Sequence, residues 1–335
     1  MNKDLHFYGL AVLARAGGFS EKDALTMAYA SQYVDDATES EPLQIGQMLF
    51  EPVRTAHYGL EAYNWSVQKR IYIPFHFLPS NPLRKPSDTF VTSPGSRFAG
   101  MIWEFASSEP DPASRIIRMG IALHTFADTW SHKWFSGRQH SENDVENIHV
   151  FEDKRWRHLT FENIYLDLMP QVGHAEAGAY PDQPHLRWKY LRSGYKNLSV
   201  RDNTEEFMSA CHEIHSLLCK ATKPYTLPLI SWDDLDEPIH NLLRSEEQDT
   251  EKRCRMWRDQ FTHLFADNPF SYDKLAWRQE ALGPKRRKDI QWDDYSTSEF
   301  GRLKFPLKRG FHDSNWVRFH RGALKQRHFV LEHLF

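Results

Sequence analysis

Between Ala122 and Phe135 the chain reads ALHTFADTWSHKWF, and this stretch limits the possible folds more than any other. Apolar residues at helical spacing make it a core helix, yet His124, Asp128 and His132 recur within it every four residues. Four residues turn a helix by about 400°, so the three side chains stack on one stripe that drifts slowly around the axis. Ile117, Ile121, Phe126 and Trp130 are left for packing on the other side. Burying an imidazole or a carboxylate without a partner costs about 2–7 kcal/mol. One such histidine is ordinarily a core residue bonded to a backbone carbonyl; three ligand-type groups on one stripe point to a shared cation. Asp111-Pro112 predicts the start of this helix, with Asp as N-cap and Pro in the first turn.

Other nitrogen and oxygen donors sit at the ends of expected elements. His6 opens a first helix over 5–16, which Gly17-Gly18 stops. Ser20 and Asp23 form a capping-box-like start for a second helix that runs to Asp35 and Asp36. His76 is flanked by prolines in IPFHFLP, and His174 lies in GHAEAG with Glu176 and Asp182 close behind. Histidine is heavily used, with 18 in 335 residues, and it is the commonest metal ligand. Mixed His/Asp donors without thiolates favour zinc, with iron or manganese as alternatives, and the number of donors suits two or three divalent ions. Cys211, Cys219 and Cys254 form no CxxC pair and read as buried free thiols.

Helical periods dominate the remainder, with further helices expected over 53–69, 150–169, 185–198, 203–221, 246–266 and 314–333. Residues 71–98 carry five prolines and read as an extended ordered loop, and TFVTS is the one tempting strand. The expectation is an all-α helical bundle: a metal-binding domain over 1–267, and a C-terminal extension over 268–335 packed on it. Formal net charge is −3, but residues 283–335 hold twelve Lys/Arg against six Asp/Glu. Near-neutral charge argues against a general nuclease, since tracking a polyanion calls for a basic groove. The basic, aromatic extension is compatible with a peripheral membrane contact, a lid or an oligomer contact. With no hydrophobic leader in MNKDLHFYGL and no apolar run near 18 residues, the chain reads as cytoplasmic when made, with export by a route needing no such signal left open.

The order of these donors resembles that of the zinc-dependent phospholipase C and P1-type nuclease superfamily: an early His, an Asp ending a helix, an isolated His, His-x3-Asp followed by His, and a final His with a carboxylate. The phrases HFYGLAVLARAGG, AYASQYVDDATES, IPFHFLP and GIALHTFADTWSHKWF are closer still to an uncharacterised bacterial branch of it. The likeness spans residues 5–190. It implies a helical fold with His6, Asp35 or Asp36, His76, His124, Asp128, His132 and His174 as metal ligands, and Glu176 or Asp182 as the last carboxylate. Three features depart from the secreted enzymes. Those use the amino group and carbonyl of an N-terminal Trp, place x5 rather than x3 between the helix Asp and the next His, and end on His-x3-Glu or His-x3-Asp.

The activity implied is phosphodiester hydrolysis by a metal-activated water that Asp35 or Asp36 orients. Lipid or small-molecule substrates are favoured over nucleic acid, and Arg138 or a residue of GPKRRK is a candidate phosphate contact. Two other classes compete. A di-iron helical oxidase would use Glu-x-x-His pairs, and Glu146/His149 and Glu237/His240 have that interval, with Glu213/His215 one residue short. A non-enzymatic, metal-stabilised binding protein would use the same donors with no open position. There is no GxSxG and no P-loop, and adjacency points Cys211 and His212 apart.

Overall fold

The computed structural model describes residues 1–57, 60–82, 89–158, 171–222, 230–266, 270–283 and 304–335. Its centre is the helix read first from the sequence, Pro112–Ser131 (α5). Asp111 caps it by accepting from the Ser114 amide, and Pro112 occupies its first turn. Against α5 pack Glu21–Asp36 (α2), capped by Ser20, together with Arg97–Ser107 (α4) and Asn315–Leu334 (α10). Leu10–Ala16 (α1), Asn203–Thr222 (α6), Trp232–Arg244 (α7) and Thr250–Phe261 (α8) complete the main body, with Ala276–Leu282 (α9) beside α10.

Gly120 sets the approach of α2 to α5. A methyl group there would lie 2.2 Å from the Met27 carbonyl oxygen and 2.8 Å from Ala30 Cβ, so Gly120→Ala forces the two helices apart. Overpacking of this kind costs about 1–3 kcal/mol or more. The urea midpoint is expected to fall accordingly, and an unchanged midpoint would show that the interface yields freely.

Two wide π-type helical stretches deliver histidines. Asp4–Gly9 carries His6 and runs straight into α1. Gln68–His76 follows the short helix Trp65–Val67 (α3), contains Pro74 and ends on His76. There the Phe77 amide donates to the Tyr72 carbonyl, five residues back, at 2.8 Å. Such stretches are rare and concentrate at functional sites. Asp4 is itself fixed by a buried pair, Arg253 Nε donating to Asp4 Oδ2 at 2.8 Å.

The expectation of an all-α chain is corrected by two sheets. Leu43–Ile45 (β1) pairs antiparallel with Met48–Phe50 (β2) and parallel with Lys304–Phe305 (β7). Val145–Glu152 (β3), Arg155–His158 (β4), Arg187–Arg192 (β5) and Leu198–Asp202 (β6) form an antiparallel sheet in the order β4-β3-β5-β6. The protein is therefore mixed α and β. Stretches expected as helices over 150–169 and 185–198 alternate in burial instead: Ile148 and Val150, then Trp188 and Tyr190, turn to one face. With Phe77, Phe135 and Leu186 they make a second core beside the helical one. That is the period of two that a half-buried strand requires. Residues 159–169 of the expected helix, and most of GPKRRK, lie outside the described residues.

Of the expected helix over 53–69, residues 53–57 have no regular structure, 58 and 59 lie outside the described residues, and a short 3-10 turn at Leu60–Tyr63 leads to α3 and the start of the His76 stretch. Of the expected loop over 71–98, residues 71–76 end that same helical stretch, 83–88 lie outside the described residues and 97–98 open α4, and TFVTS joins neither sheet. In the C-terminal region Trp316, Val317 and Phe319 of α10 are fully buried, in one core with α5. Among the described residues no helix is long and apolar enough to cross a membrane.

Candidate metal centre

The stripe on α5 faces the other donors. His124 and Asp128 lie on its last two turns, and His132 is its C-cap residue. His6 comes from the first π-type stretch, Asp35 from the end of α2, His76 from the second π-type stretch, and His174 and Asp182 from the segment between β4 and β5. Three groups have ligand atoms all within 4.8 Å of one another: His6, His124 and Asp128; Asp35, His76 and His124; His132, His174 and Asp182. His124 belongs to two of them. Asp128 touches more donors than any single group records, its Oδ1 lying 3.1 Å from His6 Nε2 and its Oδ2 3.3 Å from both His76 Nδ1 and His124 Nε2.

Backbone carbonyls orient the rings. A carbonyl can only accept, so the ring nitrogen facing it carries the hydrogen and, in a neutral ring, the other nitrogen is bare. His76 Nε2 donates to Thr55 O at 2.9 Å, His132 Nδ1 to His76 O at 2.7 Å and His174 Nδ1 to Gly178 O at 2.8 Å. In the neutral rings two lone pairs are thereby aimed at Asp182, His132 Nε2 at Oδ1 (3.5 Å) and His174 Nε2 at Oδ2 (3.3 Å), while His76 Nδ1 lies 3.3 Å from Asp128 Oδ2. His76 Nδ1 also lies 3.2 Å from His124 Nε2. A lone pair against a carboxylate is repulsive unless a cation lies between them. Protons could serve, and the carboxylates favour one on His76, but burial opposes them on His6, His124 and His132. It lowers His6 to about 4, with His124 and the Met1 amine adding to the effect; it also lowers His124 to about 4, and lowers His132.

The carboxylates divide. For Asp128 and Asp182 burial alone would favour the neutral acid, but the Met1 amine and the surrounding imidazoles hold both well below the usual range. The Met1 amine lies 2.8 Å from Asp128 Oδ1 and 3.0 Å from Asp182 Oδ1, and these carboxylates keep it protonated, against burial, to about pH 11. Burial raises Asp35, whose side chain is 27% exposed and stands at the open side of the site. Burial would lower His76, but its hydrogen bond to Asp128 and the charge of Asp35 raise it instead. Neutral His6, His124 and His132, ionised Asp128 and Asp182, and rings locked from behind are the donor chemistry and the outer support of a metal site, and the residues fit two or three divalent ions.

These shifts set a pH dependence for the metal-free chain. Unfolded imidazoles titrate near about 6.5, so between about 6.5 and 4 the unfolded chain takes up protons that buried His6, His124 and His132 refuse. Stability is present above that window and is lost as pH falls through it, with raised His76 and Asp35 offsetting part of the loss. Melting in chelator from pH 8 to 4 is expected to show a Tm that is flat above 7 and declines below 6.5. A flat profile throughout would contradict the burial of neutral imidazoles.

Of the residues singled out in the sequence, His6, Asp35, His76, His124, Asp128, His132 and His174 are brought together. Asp36 is placed elsewhere: its Oδ2 accepts from Tyr272 Oη at 2.8 Å and Gln32 Nε2 at 3.2 Å, and it joins none of the three groups. Glu176 accepts from the Val145 amide and so ties down β3, which leaves Asp182 as the carboxylate beside His174. His132 meets Asp182 although only three residues separate it from Asp128, because it sits at the helix end. Arg138 pairs with Glu142. Glu146 and His149 lie on β3 and Glu237 and His240 on α7, and among the described residues neither pair joins a donor group, nor do Glu213 and His215. The supporting roles of Thr55, Gly178 and Arg201 left no mark in the sequence, since each depends on a contact across the fold.

Residues 1–334 match a family of unknown function, DUF6765, and the chain belongs to that family. No curated protein and no solved structure matches it.

Proposed function

We propose that the protein is a metal-dependent hydrolase of phosphodiester bonds, resembling phospholipase C and P1-type nuclease, with zinc as the ion and lipid or small-molecule diesters as substrate. The observation that carries this reading is the set of imidazole lone pairs and carboxylates converging on shared positions, with Asp128 central and Asp35 at the open side. His124 has one lone pair, so it would join either His6 and Asp128 or Asp35 and His76 in holding one ion, the donors it leaves would hold a second with water, and His132, His174 and Asp182 would hold a third. Bound ions would supply a water whose pKa falls from about 15.7 toward about 7 and positive charge opposite the phosphoryl oxygens. The chain's own contribution is placement. Thr55, His76 and Gly178 carbonyls lock three rings, the apolar wall of Phe77 stacks on His132 at 4.3 Å, and the partly exposed Asp35 carboxylate would orient a water and accept its proton.

Purified protein is expected to hydrolyse a chromogenic phosphodiester, to lose that activity on dialysis against chelator and to regain it with zinc. A zinc-loaded protein inert toward diesters, or turnover indifferent to chelator, would overturn the reading.

A further inference from the structure

A cleft of about 930 Å³ opens at the end of α5 remote from the metal donors, and the hydrolase reading makes no use of it. It meets α5 at Pro112, Ala113, Arg115, Ile116 and Met119, whereas the ligand stripe starts at His124 and runs past the helix end. The first turns of α2, the Trp103 side of α4, the end of α6 and the start of α10 form its other walls. One junction holds that frame: Thr222 Oγ1, at the end of α6, donates at 2.7 Å to the Gly17 carbonyl in the turn between α1 and α2.

The lining divides by polarity. Phe19, Trp103, Ile116, Met119 and Leu217 supply apolar surface, with Trp103 and Met119 buried and the other three half-buried. Charge is one-sided, Lys22, Arg115, Lys220 and Arg318 standing against Asp23. Asp23 is engaged in the cap of α2, its Oδ2 accepting from Ser20 Oγ at 2.8 Å. Arg318 is drawn to two acids outside the cleft, with Nη2 3.5 Å from Asp313 Oδ1 and Nε 3.9 Å from Asp111 Oδ2. Arg115 makes one long bond, Nη1 donating to the Glu109 carbonyl at 3.4 Å. Among the described residues the side chains of Lys22 and Lys220 have neither a carboxylate nor a hydrogen-bond partner.

A concave apolar floor beside uncompensated cations is matched by a molecule that has both parts, and clefts of this size hold small organic ligands oriented by a few polar groups. A bare inorganic anion would leave the floor in water, and a neutral chain would leave the cations without a counter-charge. We propose that the cleft binds an amphipathic organic anion, an aliphatic chain ending in a carboxylate or a phosphate. The chain lies on Trp103, Ile116 and Met119, and the head is held by Lys22, Lys220 and Arg115 through charge-assisted bonds. The site is separate from the metal centre and stands whether or not the hydrolase reading holds.

The test is calorimetric titration of the intact protein with decanoate, below its micelle concentration and at fixed ionic strength, with butyrate, decanol and decyl phosphate alongside. The variant is the double exchange Lys22→Gln and Lys220→Gln, since both side chains are exposed and circular dichroism can check that the fold is kept. Saturable decanoate binding is expected, and it should weaken about tenfold in the double variant, as the loss of two exposed ion pairs implies. Butyrate should bind at least about tenfold more weakly than decanoate because it lacks the buried methylenes. Decanol should fall by a similar factor of about ten because it brings no charge to the lysines. Decyl phosphate binding more tightly than decanoate would identify a phosphate head, and the reverse a carboxylate. Heats that do not saturate, decanol binding as tightly as decanoate, or decanoate binding unchanged in the double variant, which would put the anion at the metal centre or elsewhere, would overturn the proposal.

Discussion

Asp128→Asn is expected to remove the ion held with His6 and His124, leaving the one at His132, His174 and Asp182, and to reduce turnover by at least about a thousandfold, well beyond the roughly 10–100-fold that losing an outer supporting partner costs. The side chain is buried, and its two oxygens face His6, His76 and His124 at 3.1–3.3 Å. An amide keeps the shape but offers one acceptor oxygen and no charge, so it cannot neutralise cations on both sides. Because the exchange preserves volume, the helical content of the variant should match that of the parent. The measurement is zinc content and diester hydrolysis, side by side with circular dichroism. A folded variant that keeps its full metal content and its turnover would show that Asp128 is only a structural carboxylate.

The second large effect is expected away from the donors, at Arg201. Its guanidinium is fully buried, donates to the carbonyls of Trp130 and Ser131 at 2.8 and 2.9 Å, and pairs with Glu206, with Nε donating at 2.9 Å. Those carbonyls end α5, where the helix leaves its last acceptors without internal partners and carries partial negative charge. Arg201 thus caps the helix that presents the ligand stripe and ties it to β6. Arg201→Met keeps the bulk and removes every donor, leaving Glu206 with Lys133 at 2.9 Å as its remaining ion-pair partner. Breaking a buried pair in this way costs about 3–5 kcal/mol. Denaturant unfolding is expected to register a loss of that size, and zinc affinity should fall with it because His132 stands at the released end. A loss below about 1 kcal/mol would mean that the helix end is held by its packing alone.

Much of the site was legible because it depends on helix geometry. The spacing of four puts His124, Asp128 and His132 on one line whatever surrounds them, and the stop of α2 at Asp36 places Asp35 at a helix end. The choice between Asp35 and Asp36, and between Asp182 and Glu176, was not legible. Neighbouring residues on a helix or turn point in different directions, and their partners, Tyr272 for Asp36 and the Val145 amide for Glu176, come from elsewhere in the chain. The four-stranded sheet was missed for a related reason. β5 is six residues long and β6 five, windows in which a period of two and a period of 3.6 are hard to tell apart. The polar turn of β3 at Asn147, with φ of 53° and a shift of register between Glu146 and His149, interrupts the alternation where it would have been clearest. The π-type windings that carry His6 and His76 have no sequence signature of their own, although Pro74 marks one of them.

The central claim is that these imidazoles and carboxylates are organised around cations. Elemental analysis of protein purified without added metal, combined with anomalous diffraction at the edge of the metal found, tests it most directly. The account predicts two or three anomalous peaks bounded by His6, Asp35, His76, His124, Asp128, His132, His174 and Asp182. Protein that stays metal-free after equilibration with zinc, or peaks that lie away from these residues, would contradict it.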